Sequence, residues 1–163
     1  MRPQCSDGRK MDQTDARILD LLQADATLST EEVASRLGLD PADCAERIGR
    51  LETEGVILGR VALVDPRKAG VGVTVFVAVT TPEHSPEWLE QFHRVVESLP
   101  EVMECFRMSG QVDYLLRVAV PDIESYDLFY KKLISAITPK DVSSTFAMEQ
   151  IKFTTALPLT PEG

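Results

Sequence analysis

Three cysteines, two histidines, 6% aromatic residues and no surplus of basic charge define what this 163-residue chain does without. Cys5, Cys44 and Cys105 are odd in number, widely spaced and outside any CxxC pair, which excludes a disulfide framework and a zinc-ribbon ligand set. Reduced thiols are expected, with Cys44 and Cys105 buried; a redox sensor is the alternative. His84 and His93 stand at no metal-ligand spacing and read as solvated surface residues. No glycine-rich phosphate loop and no nucleophile elbow occurs, so no metal or other cofactor is expected. With neither an apolar run of membrane-spanning length nor a signal-peptide layout, the expectation is a soluble cytoplasmic protein with no membrane partner.

The missing basic charge bears most on function. The net charge is −9, and residues 1–60 hold 8 Lys and Arg against 12 Asp and Glu. Nucleic-acid affinity rests largely on Lys and Arg neutralising phosphates. Any DNA contact therefore depends on Arg36, Arg47, Arg50 and Arg60 sharing a face and on dimerisation doubling the set, and it should be weak and strongly salt-sensitive.

What is present begins with three amphipathic helices. Met11–Ala24 carries Ile18, Leu19, Leu21 and Leu22 behind the cap Asp12, and Ser29–Leu37 carries Val33, Ala34 and Leu37 behind Ser29 or Thr30. From Gly38 to Ile57 a third helix has both ends marked: Asp40 is an N-cap, Pro41 suits the first helical position and Gly55 closes the far end. Cys44, Ile48 and Leu51 form its apolar stripe. At 100 degrees per residue, Ala42, Glu46, Gly49 and Thr53 fall opposite, with Asp43, Arg47 and Arg50 on one flank. The joint Leu37-Gly38-Leu39-Asp40 suits a helix-turn-helix whose second helix enters the major groove. A plain three-helix bundle without a ligand is the other reading of the same periodicity.

The second half alternates differently. Gly59–Pro66 reads as a short strand stopped by an Asp-Pro turn, Arg67–Gly72 as a linker, and Val73–Thr80 as a strand. A helix over Pro86–Leu99 follows, with Trp88 as core or rim packing and Glu87, Glu90 and Glu97 as a wet face. Strands over Val102–Met108 and Tyr114–Val120 flank the loop Ser109–Asp113; then come a helix over Ile123–Ile137 and strands over Val142–Met148 and Ile151–Leu157. This order is ferredoxin-like, with both helices on one side of an antiparallel sheet. The uncovered apolar face calls for a partner, most simply a second copy in a twofold dimer that pairs two DNA-reading helices. In the Ser109–Asp113 loop, Gly110 frees the backbone to turn N–H groups toward an anion, while Ser109, Gln111 and Asp113 add polar side chains, a set suited to a zwitterion. An ordinary hairpin turn is the alternative.

The first half, in Asp12 to Asp15, Ile18 to Leu22, Val33-Ala34, Arg36-Leu37-Gly38-Leu39, Arg47-Ile48, Arg50-Leu51-Glu52 and Gly55-Val56-Ile57, resembles the Lrp/AsnC (feast/famine) transcriptional regulators, as does the second half from Ser109-Gly110-Gln111-Val112-Asp113-Tyr114 to Leu157. The resemblance implies an α+β chain: a flexible extension at 1–10, an N-terminal winged helix-turn-helix domain at 11–60, a linker strand and hinge at 61–72, and a C-terminal ferredoxin-like βαββαβ domain at 73–163. It implies double-stranded DNA, an amino-acid or related effector, and a homodimer assembling to tetramer or octamer. By matching position it points to Gly110, Asp113 and Tyr114 for the effector, beside Met108, Ser109 and Gln111, and it leaves Arg47 and Arg50 as matching basic residues of a DNA-facing set that also takes in Thr30, Pro41, Ala42, Glu46 and Gly49.

The chain departs from the family pattern, which often has Ser or Thr at Asp40 and Ala42 and a basic residue at Gly49. Two aspartates at a helix N-terminus repel phosphate. Either Ala42 and Gly49 permit close approach to thymine methyls while Glu46 accepts from cytosine N4, or DNA affinity has decayed and the chain acts as an effector-sensing co-regulator. A tetrapyrrole decarboxylase-like enzyme is a further alternative, disfavoured because such sites are expected to recruit His and Arg around a cavity and the two histidines here, His84 and His93, both fall near one helix. Residues 1–10 read as an untethered terminus, or as a phosphate-tracking arm through Arg2, Arg9 and Lys10.

Overall fold

The computed structural model describes residues 11–82 and 85–159; the expectations for residues 1–10 and for His84 lie outside them. The chain divides into two units, one running to Ala62 together with the tail from Lys152, the other spanning Leu63–Ile151.

In the first unit, helices α1 (Gln13–Ala24), α2 (Thr30–Leu37) and α3 (Pro41–Thr53) each start at a residue that accepts bonds from otherwise orphaned amides. Asp12 with Asp15, and Ser29 with Glu32, form reciprocal capping boxes. Asp40 Oδ1 accepts from the Ala42 and Asp43 N–H groups at 2.8 and 3.4 Å. Such caps contribute about 1 kcal/mol each. Gly38 closes α2 at φ 68°, a left-handed backbone that glycine adopts without a Cβ clash, and this turns the chain directly into α3. Ile18, Leu22, Leu28, Val33, Ala34, Cys44 and Ile48 make the core between the helices. Cys44 is buried as expected.

The second unit is a four-stranded antiparallel sheet ordered β2-β3-β1-β4, built from β1 (Val73–Thr80), β2 (Val102–Arg107), β3 (Tyr114–Val120) and β4 (Asp141–Phe146). Helices α4 (Pro86–Ser98) and α5 (Ile123–Ala136) complete the expected βαββαβ order. Val75, Val77 and Val79 of β1 and Leu116, Val118 and Val120 of β3 face Trp88, Phe92, Phe129 and Leu133 in one core. Trp88 stacks on Phe92 at 5.1 Å, a contact within that core. The other side of the sheet carries Phe76, Ala78, Phe106 and Leu115 beside an Arg117 Nε to Glu104 Oε2 ion pair at 2.9 Å.

Three expectations are corrected. Gly59–Pro66 forms no strand: the segment joins no ladder among the described residues, with Val61 78% and Leu63 64% exposed. A strand needs a neighbouring ladder, and this segment has none. The Asp65 turn that follows it does form, Oδ1 accepting from the Arg67 N–H at 2.9 Å. Ile151–Leu157 is likewise no strand; beyond β4 the tail groups with the first unit, where Gln23 donates to Leu157 O at 3.3 Å and accepts from its N–H at 2.7 Å. Cys105 is exposed rather than buried, because β2 is an edge strand whose residues beyond Val102 stay uncovered.

Phe92 is fully enclosed in the second core. Phe92→Ala is expected to destabilise that unit by about 3–5 kcal/mol in chemical denaturation, in line with other buried Phe truncations.

Candidate nucleic-acid interface and effector loop

Among the described residues Asp15 is the one buried charged side chain, 1% exposed. It sits in the first turn of α1, three residues after Asp12, and α3 lays two arginines against it at the same spacing. Arg47 Nη1 donates to Asp15 Oδ1 at 2.9 Å and to Asp12 Oδ2 at 2.7 Å, and Arg50 Nη2 donates to Asp15 Oδ2 at 2.6 Å. Within α3, Arg47 Nε reaches Asp43 Oδ2 at 3.3 Å and Arg50 Nη1 reaches Glu54 Oε2 at 3.2 Å. The result is a four-acid, two-arginine network joining the start of α1 to the middle of α3.

The titration shifts follow from this geometry. The Arg47 guanidinium, with help from the Asp15 N–H, holds the Asp12 carboxyl down at about 2. For Asp15 burial pushes upward most strongly, but the Asp12 N–H and both arginines outweigh it and the net shift is downward. Arg47 and Arg50 are pushed up by the same carboxylates. Burial raises the Cys44 thiol on the inner side of α3, which keeps it protonated.

The expected DNA-facing residues therefore separate into two groups. Pro41, Ala42, Glu46 and Gly49 are exposed along one side of α3, and a Cβ added at Gly49 would meet nothing within 4 Å. Thr30 is half-buried at the first position of α2. Arg47 and Arg50 are half-buried and already paired with carboxylates, each side chain 22% exposed. Asp43, Glu46, Arg47 and Arg50 line a shallow open depression on this surface. The sequence reading placed Asp12 only as a cap and did not single out Asp15. The signal was available: acids three apart at 12 and 15 match arginines three apart at 47 and 50.

The effector-loop residues also separate. Met108, Ser109, Gly110 and Gln111 are exposed, with Gly110 at φ 141°. Asp113 is turned to the frame: its N–H donates to Val79 O at 3.1 Å, its carbonyl accepts from the Met108 N–H at 2.8 Å, and its Oδ2 accepts from the Thr81 N–H at 2.8 Å. Tyr114 is buried, its ring 4.4 Å from Phe92 and 5.9 Å from Trp88, and burial raises its phenol. Among the described residues, the Tyr114 hydroxyl and the Trp88 Nε1 are buried without a hydrogen-bond partner. Among the described residues no three His, Cys, Asp or Glu side chains group for a metal, and no helix is long and apolar enough to cross a membrane.

A depressed carboxyl contributes stability above its unfolded pKa, and that contribution is lost as pH falls toward its folded value. For Asp12 the window runs from 3.8 down to about 2. Because its side chain is 43% exposed, screening limits the contribution to about 1 kcal/mol or less. The melting temperature of the first unit is expected to fall across this window, and Asp12→Asn should remove part of the fall; an unchanged acid profile in the variant would contradict the network.

Comparison with known proteins agrees with both halves. Residues 11–52 match the AsnC-type helix-turn-helix domain and residues 74–157 the Lrp/AsnC ligand binding domain. The chain is 48% identical over 151 residues to the glutamate uptake regulatory protein of Zymomonas mobilis, covering 93% of this chain and 92% of that one. It is 47% identical over 150 residues to the DNA-binding transcriptional activator DecR of Escherichia coli, covering 91% and 99%. Among solved structures, an AsnC family transcriptional regulator from Agrobacterium tumefaciens superposes with a TM-score of 0.88 at 55% identity, covering 91% of this chain and 97% of that one. A transcriptional regulator from Neisseria meningitidis in complex with L-Met gives 0.86 at 33% identity, with the same coverage. With both domains matched in order and relatives close to half identical over nine-tenths of its length, this chain belongs to the Lrp/AsnC family.

Proposed function

We propose that this chain is a DNA-binding transcriptional regulator whose assembly responds to an amino acid or a closely related metabolite. The observation that carries the DNA half is the bare stripe of α3: Pro41, Ala42, Glu46 and Gly49 stand exposed on the second helix of a capped helix-turn-helix. Ala42 and Gly49 present almost no side chain, so a major-groove floor can approach the helix closely, and Glu46 offers an acceptor suited to cytosine N4. In this reading Thr30, at the start of α2, contacts the DNA backbone.

The effector half is supported by the loop and by the relative that binds L-Met. Exposed Ser109, Gly110 and Gln111 offer backbone N–H groups and side-chain dipoles to a zwitterion, next to the thioether of Met108. Asp113 and Tyr114 serve this site by holding the loop in shape, one on Thr81 and the other in the aromatic core. An effector that binds one assembly state better than another shifts the population toward it by that difference in affinity, and so changes the spacing of recognition helices along DNA.

A second copy of the chain is the natural cover for Leu58, Val61, Leu63 and Val64, which lie exposed in a segment without ladder bonds. Pairing of two such segments would satisfy the amides and bury the side chains together.

Three measurements test this reading. Gel-shift titration on the chain's own upstream region should give a complex at low salt that weakens steeply as salt rises; folded protein that shifts nothing at low salt would leave only an effector-sensing role. In a thermal-shift screen of the twenty amino acids, at least one should raise the melting point of the second unit, since a ligand bound only to the folded state stabilises it. Light scattering should give a mass of at least two chains, and Val61→Asp with Leu63→Asp should reduce it; a monomeric native chain would overturn the dimer.

A further inference from the structure

The carboxylates around Arg47 fall into two classes. Asp15 is buried and binds both arginines, so it belongs to the packing of α1 on α3. Asp12 and Asp43 are 43% and 50% exposed, so solvent reaches both, and they bind Arg47 and not Arg50. A DNA phosphate approaching α3 meets the Arg47 guanidinium through these two acids. Phosphate and carboxylate use the same donors, the fork of guanidinium N–H groups. Asparagine at position 12 would keep the acceptor that the Asp15 N–H needs, so the cap does not require the charge; the charge serves Arg47.

We propose that Asp12 and Asp43 are intramolecular competitors of DNA phosphate for Arg47, and that they set how readily this chain binds DNA without regard to sequence. In the free chain they neutralise Arg47. On DNA, Arg47 exchanges them for a phosphate, while Asp15 keeps hold of Arg50 and α3 stays seated on α1. Since backbone neutralisation supplies most non-specific affinity, two acids placed on that arginine suppress indiscriminate binding and leave more of the affinity to contacts made by the Ala42, Glu46 and Gly49 stripe. This rests on the DNA-binding reading above.

The test uses the full chain and two duplexes, one from its own upstream region and one of scrambled sequence, titrated by fluorescence anisotropy across about 50–200 mM salt. D12N/D43N is compared with D20N/E31Q, an equal change in charge at exposed acids of the same unit that do not bond Arg47. D12N/D43N is expected to bind the scrambled duplex about tenfold more tightly than the control does, with a log–log salt slope steeper by about 0.9 for each phosphate gained. Adding R47Q should abolish the gain. The inference is overturned if D12N/D43N matches D20N/E31Q, or if its gain survives R47Q. Should the double variant melt below the assay temperature, D12N and D43N taken singly are each expected to show part of the gain over single-charge controls, and none in either overturns it. A native chain that binds the upstream duplex, with no difference among variants, defeats this inference alone; no binding by any chain at the lowest salt defeats the DNA-binding reading along with it.

Discussion

Asp15 carries a charge where almost no water reaches it, and the first unit is arranged so that three donors meet it. An unpaired carboxylate in that position would cost several kcal/mol; the Asp12 N–H, Arg47 and Arg50 remove the penalty. Two of those donors come from the third helix and one from the start of the first, so turning the helices against each other would leave a buried carboxylate without its partners. The apolar contacts of Ile18, Cys44 and Ile48 press the helices together without regard to direction. The ion pairs supply the direction. With Arg47 and Arg50 drawn toward the first helix, geometry at 100 degrees per residue leaves Ala42, Glu46 and Gly49 outward.

The effector loop follows the same logic on a smaller scale. Asp113 ties the loop to the end of the first strand through the Thr81 N–H, and Tyr114 anchors the next residue among Phe92 and Trp88. The groups left at the surface are small and adaptable: a serine, a glycine, a glutamine and a methionine. In each unit an acid secures the frame and little is left to obstruct a ligand.

Most of the architecture was legible from local signals. Caps at Asp12, Ser29 and Asp40, the left-handed turn at Gly38, and the strand limits of Val73–Thr80 and Tyr114–Val120 all depend on residues a few positions apart. What was missed depends on partners far along the chain or outside it. The preference of Arg47 and Arg50 for carboxylates is decided by Asp12 and Asp15, more than thirty residues earlier. The β-branched run at Val61–Val64 has strand propensity, yet propensity without a neighbouring strand yields only an exposed segment. Tyr114 was grouped with the effector residues through the Gly-x-x-Asp-Tyr resemblance; that its ring lies in the core follows from alternation along the third strand.

An acidic chain that reads DNA must manage its few arginines closely, and here two of them are engaged before DNA arrives. That claim is tested most directly by nitrogen-15 NMR of the arginine side chains in the free full-length chain. Guanidinium groups held by the network should show slowed rotation and resolved, exchange-protected Nη protons for Arg47 and Arg50; Asp15→Asn should weaken this at Arg50 more than at Arg47, which keeps Asp12 and Asp43. Exposed Arg94 should average freely and serve as the internal standard. Arg47 and Arg50 signals as averaged as that of Arg94 would contradict the account.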